Sequence, residues 1–518
     1  MASDSRAVGL APVQRHHGGP LVVVSNREPY QHARRSDGRI EWSPTTGGVA
    51  VALDALMHDR GGVWIAHGSG DADRAVVDSY DRVSVPPDDP TYALRRIWLT
   101  DEEAERYYEG FANEGLWPLC HEAHVRPIFR RDDWKAYRLV NERFAAAIEE
   151  ELPALDAPVF IQDYHLALVA SEVRRRRPEV KTAFFWHIPW PNPDRLRICP
   201  WRREILAGLL ANDLLAFQLD RDRRNFIAAA RDDLGADVTR NTVRHERHLT
   251  AVKAAPIGVD YDRIQTVTRD AALHVDMRRL RSEFRIDTPI VGVGVDRLDY
   301  TKGIPERLEA LDRLLTRRPD LVGKLTFVQI GVPSRSSIDS YIAFEEEIDQ
   351  VVDSINRRHG AAGGPIRYRK SALKQRRLVA LFRLANFCIV SSLHDGMNLV
   401  AKEFVAARDD LDGVLVLSEM AGAAQELHDA VVINPYDVEG FTDALERAID
   451  MPEDERRHRM RAMRRIVAGR DIFSWASDIL ERLENLDPRA LPPLPGRIPV
   501  RRRSIPSRSS MDPPPSIE

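Results

Sequence analysis

Short apolar runs, each followed by a longer amphipathic stretch, constrain most strongly what this chain can fold into. They are Leu21–Val24, Val63–Ala66, Val159–Ile161, Ala183–Phe185, Ile290–Val295, Leu325–Ile330, Phe387–Val390 and Val414–Leu417. Each is too short for a buried helix and ends in polar or glycine residues, the pattern of strands covered on both faces. Alternation with helical periodicity predicts parallel βα units. In such sheets the carboxyl ends of the strands deliver the functional residues.

The chain has 518 residues, more than one core supports at roughly 150–200 residues per domain. A junction at Pro256–Asp260 separates one βα set from another that begins at Ile290. The expected class is α/β, two doubly wound Rossmann-like domains facing a central cleft. The expected divisions are a disordered arm over 1–19, a first domain over 20–265 and a second over 266–470. A helix over 471–486 is expected to pack back on the first domain, and the Pro-, Arg- and Ser-rich stretch 487–518 is expected to be a disordered tail.

A formal charge of -4, from 75 Lys and Arg against 79 Asp and Glu, lacks the basic excess of a nucleic-acid binder. Charge for holding phosphate must therefore be local. The cysteines Cys120, Cys199 and Cys388 are dispersed, which argues against a disulfide framework or a zinc set and points to a reducing cytoplasm. No stretch approaches the roughly 20 apolar residues of a membrane helix, and the polar N-terminus has no signal-type apolar region. Neither a nucleic-acid nor a membrane partner is expected; homo-oligomerisation is left open.

The most informative stretch runs from Ser391 to Glu403. Asp395 and Gly396 form a turn between a strand and a helix, placing the amides of Asn398, Leu399 and Val400 at the helix N-terminus. Such a terminus carries about half a positive charge and binds phosphate. Asp395 stands where a carboxylate can bond sugar hydroxyls, and Glu403 could take the two ribose hydroxyls of a nucleotide. An ordinary Asp N-cap before a core helix explains the same pattern equally well.

Arg297 and Lys302 leave the next informative strand end, where both can reach one diphosphate and stabilise its charge as it departs. A surface salt-bridge pair is the commoner use of such residues. Gly292-Val293-Gly294 is only a fragment of GxGxxG, because Arg297 stands where the last glycine belongs. In the first half, Ser25-Asn26-Arg27, Asp163-Tyr164-His165 and His187-Ile188-Pro189 follow strands. Thr46-Gly47-Gly48 opens the helical stretch Val49–Met57, where a glycine pair lets backbone approach a ligand. A single His or Asp is more often structural than catalytic; here all fall at strand carboxyl ends in both halves. His245-Glu246-Arg247-His248 lacks the spacing of a zinc-protease helix. Asp71-Ala72-Asp73 follows no convincing strand and reads as a polar loop. No metal site and no cofactor are expected.

Longer segments carry a family resemblance: VVVSNR (22–27), TGGVA (46–50), the tyrosines 107–108 with LWP (116–118), QDYHL (162–166), HIPWP (187–191), DRLDYTKGIPER (296–307), PSR (333–335), DGMNLVAKEF (395–404) and NPYD (434–437). Over about Leu21 to Leu486 the chain resembles the trehalose-6-phosphate synthases of glycosyltransferase family 20, retaining enzymes of the GT-B fold. The resemblance implies transfer of glucose from a nucleoside diphosphate glucose to glucose 6-phosphate, so the implied partners are a nucleotide sugar and a sugar phosphate. It implies that Arg27, Tyr108, Trp117 and Arg335 hold the phosphorylated acceptor. It puts Gly48 near the donor diphosphate, Asp163 near the reacting sugars and His187 on the donor glucose. Arg297 and Lys302 match the diphosphate clamp, Asp395 and Glu403 the glucose and ribose ligands, with the Asn398–Val400 amides also on the donor. The family needs no metal.

There are departures. Where the family often shows Trp-Ser-Gly after its second strand, this chain has His67-Gly68-Ser69-Gly70. Arg27-Glu28-Pro29-Tyr30 and Cys199-Pro200-Trp201-Arg202 look closer to the glucosylglycerol-phosphate synthases, which use glycerol 3-phosphate. Pro333-Ser334-Arg335 follows the trehalose pattern. The acceptor and the nucleotide base stay open at this point. A catalytically silent sugar-phosphate sensor on the same fold would not need the complete donor set.

Overall fold

The computed structural model describes residues 19–45, 48–152, 157–335, 337–360 and 363–486. The expected tail, all of the expected arm but Gly19, and Thr46 and Gly47 lie outside these residues. The first half supplies β1 (Leu21–Arg27), a hairpin of β2 (Tyr30–Arg34) and β3 (Ile40–Pro44), β4 (Gly62–His67), β5 (Arg82–Val85), β6 (Tyr92–Ile97) and β7 (Val159–Gln162). It continues with β8 (Thr182–Trp186), β9 (Leu214–Phe217), β10 (Asp237–Val238), β11 (Thr242–His245) and β12 (His248–Ala254). The second half supplies β13 (Ile290–Arg297), β14 (Leu325–Val332), β15 (Ile366–Arg369), β16 (Phe387–Val390), β17 (Val414–Ser418) and β18 (Val431–Ile433).

Each apolar run read from the sequence is a strand or the core of one. They assemble into a ten-stranded sheet, ordered β10-β11-β12-β9-β8-β7-β1-β4-β6-β5, and a six-stranded sheet, ordered β15-β14-β13-β16-β17-β18. The smaller sheet is parallel throughout. The larger is parallel from β12 to β6 and antiparallel only at its edges. The switch in strand order beside β13 is where an open parallel sheet forms its ligand crevice.

Two local devices shape the carboxyl ends. Along β1 the register with β4 is regular to Val24↔Ile65 and then shifts to Arg27↔His67, a bulge that re-aims the last side chain. In the smaller sheet the buried Arg307 guanidinium donates to Asp296 Oδ2 at 2.6 Å, Gln329 Oε1 at 2.8 Å and Ser391 Oγ at 3.0 Å. One cation thus ties together β13, β14 and the loop after β16. Residue 294 must be glycine for this, because a Cβ there would lie 2.2 Å from the Arg307 guanidinium.

The helix Ile472–Glu484 follows the second sheet in sequence but contacts β8, β9 and the helix Gly48–Arg60. Its Trp475 donates from Nε1 to Ala255 O at 3.1 Å and lies against Phe160 and Phe185. The stretch expected to be a polar loop at Asp71-Ala72-Asp73 is different in kind. Asp73 is fully buried and pairs with the buried Arg96 at 2.8 Å, while accepting from the amides of His32 and Gly70. Arg96 also pairs with Glu28 at 2.8 Å. The run does follow a strand, β4, and a polar loop is replaced here by a buried ion-paired core. Asp71 accepts from the amide of Arg34 at 2.9 Å.

Candidate active site

Lys302 sits on the short turn Tyr300–Lys302 after β13, and Gly303 closes that turn at φ 60. Its Nζ lies 2.6 Å from Asp395 Oδ2, with both side chains largely buried. Ser392 Oγ and Asn398 Nδ2 donate to the same oxygen at 3.1 and 3.2 Å. Burial opposes the charge on Asp395, but Lys302 outweighs it and holds the carboxyl well below the usual range. The residue that caps the helix Leu399–Ala407 is Asn398, whose side chain accepts from Ala401 N at 3.1 Å. The N-cap alternative for Asp395 is thereby removed. The amides of Leu399 and Val400 fall in the first turn, beyond reach of intrahelical carbonyls. Glu403 stands one turn further along, with no cation or hydrogen-bond donor on its carboxylate among the described residues. Burial raises its pKa to about 7.

Arg297 and Arg335 meet at one indole. Their guanidinium carbons lie 5.2 and 4.0 Å from the Trp117 ring centroid, within cation–π range. Arg335 is held by the buried Asp299 at 3.0 Å and by Tyr341 OH, and donates to Tyr164 OH at 3.3 Å. Burial works against charge on Asp299, yet Arg335, then Arg297 and Lys302, lower its pKa to about 2. Among the described residues Arg297 has no carboxylate within salt-bridge distance. Trp117 Nε1 and Arg335 Nε are buried without a hydrogen-bond partner, an unsatisfied state that a bound ligand would relieve.

On the larger sheet, Arg27 Nη2 lies 3.2 Å from Tyr108 OH, and the Tyr108 ring stacks on His165 at 5.4 Å. Burial alone would raise the phenol, but Arg27, Arg335 and Arg297 together bring it down to about 8. Arg27 thus contacts the hydroxyl directly, while Arg335 and Arg297, from the other half of the chain, act on it through their charge. Asp163, at φ 72 after β7, accepts from the amide of His187 at 3.1 Å. Burial raises its pKa to about 6, against the pull of backbone amides and Arg297. His187 donates from Nε2 to Gln162 Oε1 at 2.9 Å and is kept neutral by burial, with a pKa near 3. A Cβ on Gly396 would lie 2.3 Å from the His187 carbonyl oxygen, so the loops after β8 and β16 touch through backbone. Gly48 is the first residue of the helix Gly48–Arg60.

Sequence reasoning missed Asp299, Tyr341, Tyr164, Asn113 and His121 as parts of this arrangement. Tyr164 OH donates to Asn113 Oδ1 at 2.8 Å, and the His121 ring lies tilted against Trp117 at 4.0 Å. Asp299 and Tyr164 lay within stretches already singled out, and an acid between Arg297 and Lys302 in sequence was the available signal for Asp299.

A profile of the family described as Glycosyltransferase family 20 matches residues 19–485. The trehalose-6-phosphate synthase of Mycolicibacterium vanbaalenii is 39% identical over 487 residues, which are 92% of this chain and 98% of that protein. An alpha,alpha-trehalose-phosphate synthase (UDP-forming) from Burkholderia xenovorans, solved in complex with glucose-6-phosphate, superposes with a TM-score of 0.80 at 32% identity, over 90% of this chain and 100% of that one. An E. coli structure described as bound with UDP-2-fluoro glucose gives a TM-score of 0.80 at 31% identity, again over 90% and 100%. Fold and site together define a glycosyltransferase of GT-B architecture. The chain belongs to glycosyltransferase family 20.

Proposed function

We propose that the protein is a retaining glucosyltransferase that moves glucose from UDP-glucose to glucose 6-phosphate, making trehalose 6-phosphate. The observation that carries this reading is the sharing of Trp117 by Arg297 and Arg335. Two cation sites one ring apart suit two phosphorylated ligands meeting at their reacting ends. Arg297, Lys302 and the amides of Asn398, Leu399 and Val400 take the donor diphosphate; Asp395 and His187 take its glucose and Glu403 its ribose. Gly48 lets backbone approach the diphosphate. Arg27, Tyr108, Trp117 and Arg335 hold the acceptor phosphate, and Asp163 lies beside the reacting sugars.

In the reaction the bond from the anomeric carbon to the diphosphate oxygen breaks while a bond to the acceptor hydroxyl forms on the same face. The hydroxyl proton passes to the departing phosphate oxygen. Preorganised cations facing that oxygen are the main source of rate, since they meet charge that develops only as the bond breaks. We assign residues 20–265 to an acceptor-binding domain, 266–470 to a donor-binding domain and 471–486 to the helix returning to the first.

The relatives named above, one carrying glucose-6-phosphate and one a UDP-sugar analogue, support these partners. The three cysteines are buried and free, which supports a cytoplasmic setting. Among the described residues no helix is long and apolar enough to cross a membrane. The test is a matrix of UDP-, ADP- and GDP-glucose against glucose 6-phosphate and glycerol 3-phosphate, read by product mass. Trehalose 6-phosphate from UDP-glucose is expected; a glycerol-linked product alone would overturn the reading.

A further inference from the structure

His394 is the residue before Asp395, yet both of its ring nitrogens are engaged by the other half of the molecule. Nδ1 lies 2.9 Å from the carbonyl oxygen of His121, and Nε2 lies 3.3 Å from Arg221 Nη2. A carbonyl can only accept and a guanidinium can only donate, so the partners fix the tautomer: Nδ1–H donates and Nε2 accepts. Burial holds the basicity of His394 down and the Arg221 charge acts in the same direction, in keeping with that neutral form. His121 in turn packs against Trp117, ring centroids 4.0 Å apart and planes tilted by 34°, with its Nδ1 2.9 Å from the Trp117 carbonyl. On Trp117 stand Arg335 and Arg297. Behind His394, Leu393 N donates to Thr301 O at 2.8 Å and Asp395 holds Lys302. A continuous series of contacts therefore runs from the donor carboxylate and its lysine, through His394 and His121, to the indole that carries the acceptor arginine.

We propose that His394 is a positioning residue that couples the two substrates, tying the Asp395 loop on the donor side to the Trp117 wall on the acceptor side. This rests on the donor and acceptor assignments made above. A ligand that orders the Asp395 loop fixes the His394–His121 bond, and with it the plane of the indole against which the acceptor cation is set. By linkage the effect is reciprocal: UDP tightens glucose 6-phosphate by the same factor as glucose 6-phosphate tightens UDP.

The experiment is calorimetric titration of the full chain with UDP and with glucose 6-phosphate, each alone and with the other saturating. Wild type is expected to show mutual tightening of about tenfold, in the usual range for coupled sites. His394→Ala is expected to bring that factor to about one while UDP alone binds within about threefold of wild type. His394→Asn, which keeps an N–H donor toward the His121 carbonyl, is expected to restore most of it. If His394→Ala does not fold, Arg221→Ala carries the test. That side chain is half-exposed, and its loss is expected to reduce the coupling about threefold. Wild type that binds both ligands without coupling overturns the inference alone. Full coupling in His394→Ala does the same, as does unchanged coupling in Arg221→Ala or an Asn variant that recovers folding but no coupling. Wild type that binds neither ligand overturns the functional reading, and the inference with it.

Discussion

Lys302 and Asp395, 93 residues apart in the chain, hold one another at 2.6 Å across the crevice of the smaller sheet. The pair is largely buried, and Lys302 holds the Asp395 carboxylate charged against the cost of its burial. Arg297, on the same strand end, is bound by no carboxylate among the described residues and faces the indole of Trp117. The two cations therefore offer different things to a departing diphosphate. Arg297 brings a full charge, Lys302 one already shared.

Arg297→Ala is accordingly expected to lower kcat by about 10²–10³, the usual effect of removing one stabiliser of a developing oxyanion. Thermal stability should fall only slightly, because no salt bridge is broken and Asp299 keeps its pairing with Arg335. Turnover near wild type at saturating UDP-glucose would show that the arginine does not meet the leaving group.

Lys302→Ala should cost both activity and stability. It strands Asp395 in the interior, a loss of about 3 kcal/mol for a broken buried pair. Adding Asp395→Asn removes the orphaned charge, so the double variant should recover much of the melting temperature without recovering kcat. Recovery of neither would mean that the pair does not hold the loop.

Arg335→Ala is expected to raise the glucose 6-phosphate KM by about tenfold to a hundredfold, while affinity for UDP alone barely changes. A charge-assisted hydrogen bond is worth roughly 1.5–3 kcal/mol. Because Arg335 is also the buried partner of Asp299, the melting temperature should fall as well. Arg335→Lys should rescue stability better than KM, since an ammonium lacks the planar fork. Equal loss of donor and acceptor affinity would make Arg335 a structural residue only.

Glu403 predicts a pH dependence. Burial raises its pKa from 4.5 to about 7, so between those values the folded chain binds more protons at this site than the unfolded one. The site's contribution to stability is complete below about pH 4.5 and is lost as pH rises toward 7. Donor binding should show the opposite trend: ribose hydroxyls prefer the carboxylate, so UDP affinity should rise through pH 7 with release of a proton. Titration of UDP in buffers of different ionisation enthalpy measures this, and Glu403→Gln should abolish it. A proton count of zero in wild type near pH 6.5 would sink the assignment.

Activity should survive EDTA. Asp73 is committed to Arg96 and two backbone amides, and Asp71 to the amide of Arg34, so the pair resembling a metal motif has other work. A loss restored by Mg²⁺ or Mn²⁺ would reopen those two residues as ligands.

The sequence disclosed all four inner strands of the smaller sheet, and β1, β4, β7 and β8 of the larger, because burial on both faces leaves an unbroken apolar run, as in Ile290–Val295 or Phe387–Val390. It did not disclose the hairpin β2–β3, the edge strands β5, β10, β15 and β18, or β6, β9, β11 and β12; at the edges polar residues such as Arg82, Asp237 and Arg367 break the apolar run, whereas β9 (Leu214–Phe217) is apolar and buried but only four residues long. Arg297, Lys302 and Asp395 were legible because they sit at the carboxyl ends of legible strands. Tyr108 and Trp117 were reached through family resemblance alone. Tyr108 lies on a π-wound helix, Glu105–Leu116, and Trp117 follows it directly, away from any strand end. The contact of His394 with His121 spans 273 residues and uses a backbone oxygen, so no residue identity at the receiving end marks it.

The return of the helix Ile472–Glu484 bears on how the molecule is made. A ribosome has emitted every strand of the larger sheet once Ala254 is out, yet the tryptophan that bonds Ala255 and covers Phe160 and Phe185 arrives 220 residues later. Until then the nascent first half waits with part of its apolar face open to water, and to whatever chaperone shields it. A premature stop just before Ile472 leaves every residue proposed here for substrate binding in place. It is nonetheless expected to yield aggregate rather than a weakened enzyme, because the half translated first is closed by a helix translated only after the whole of the second sheet.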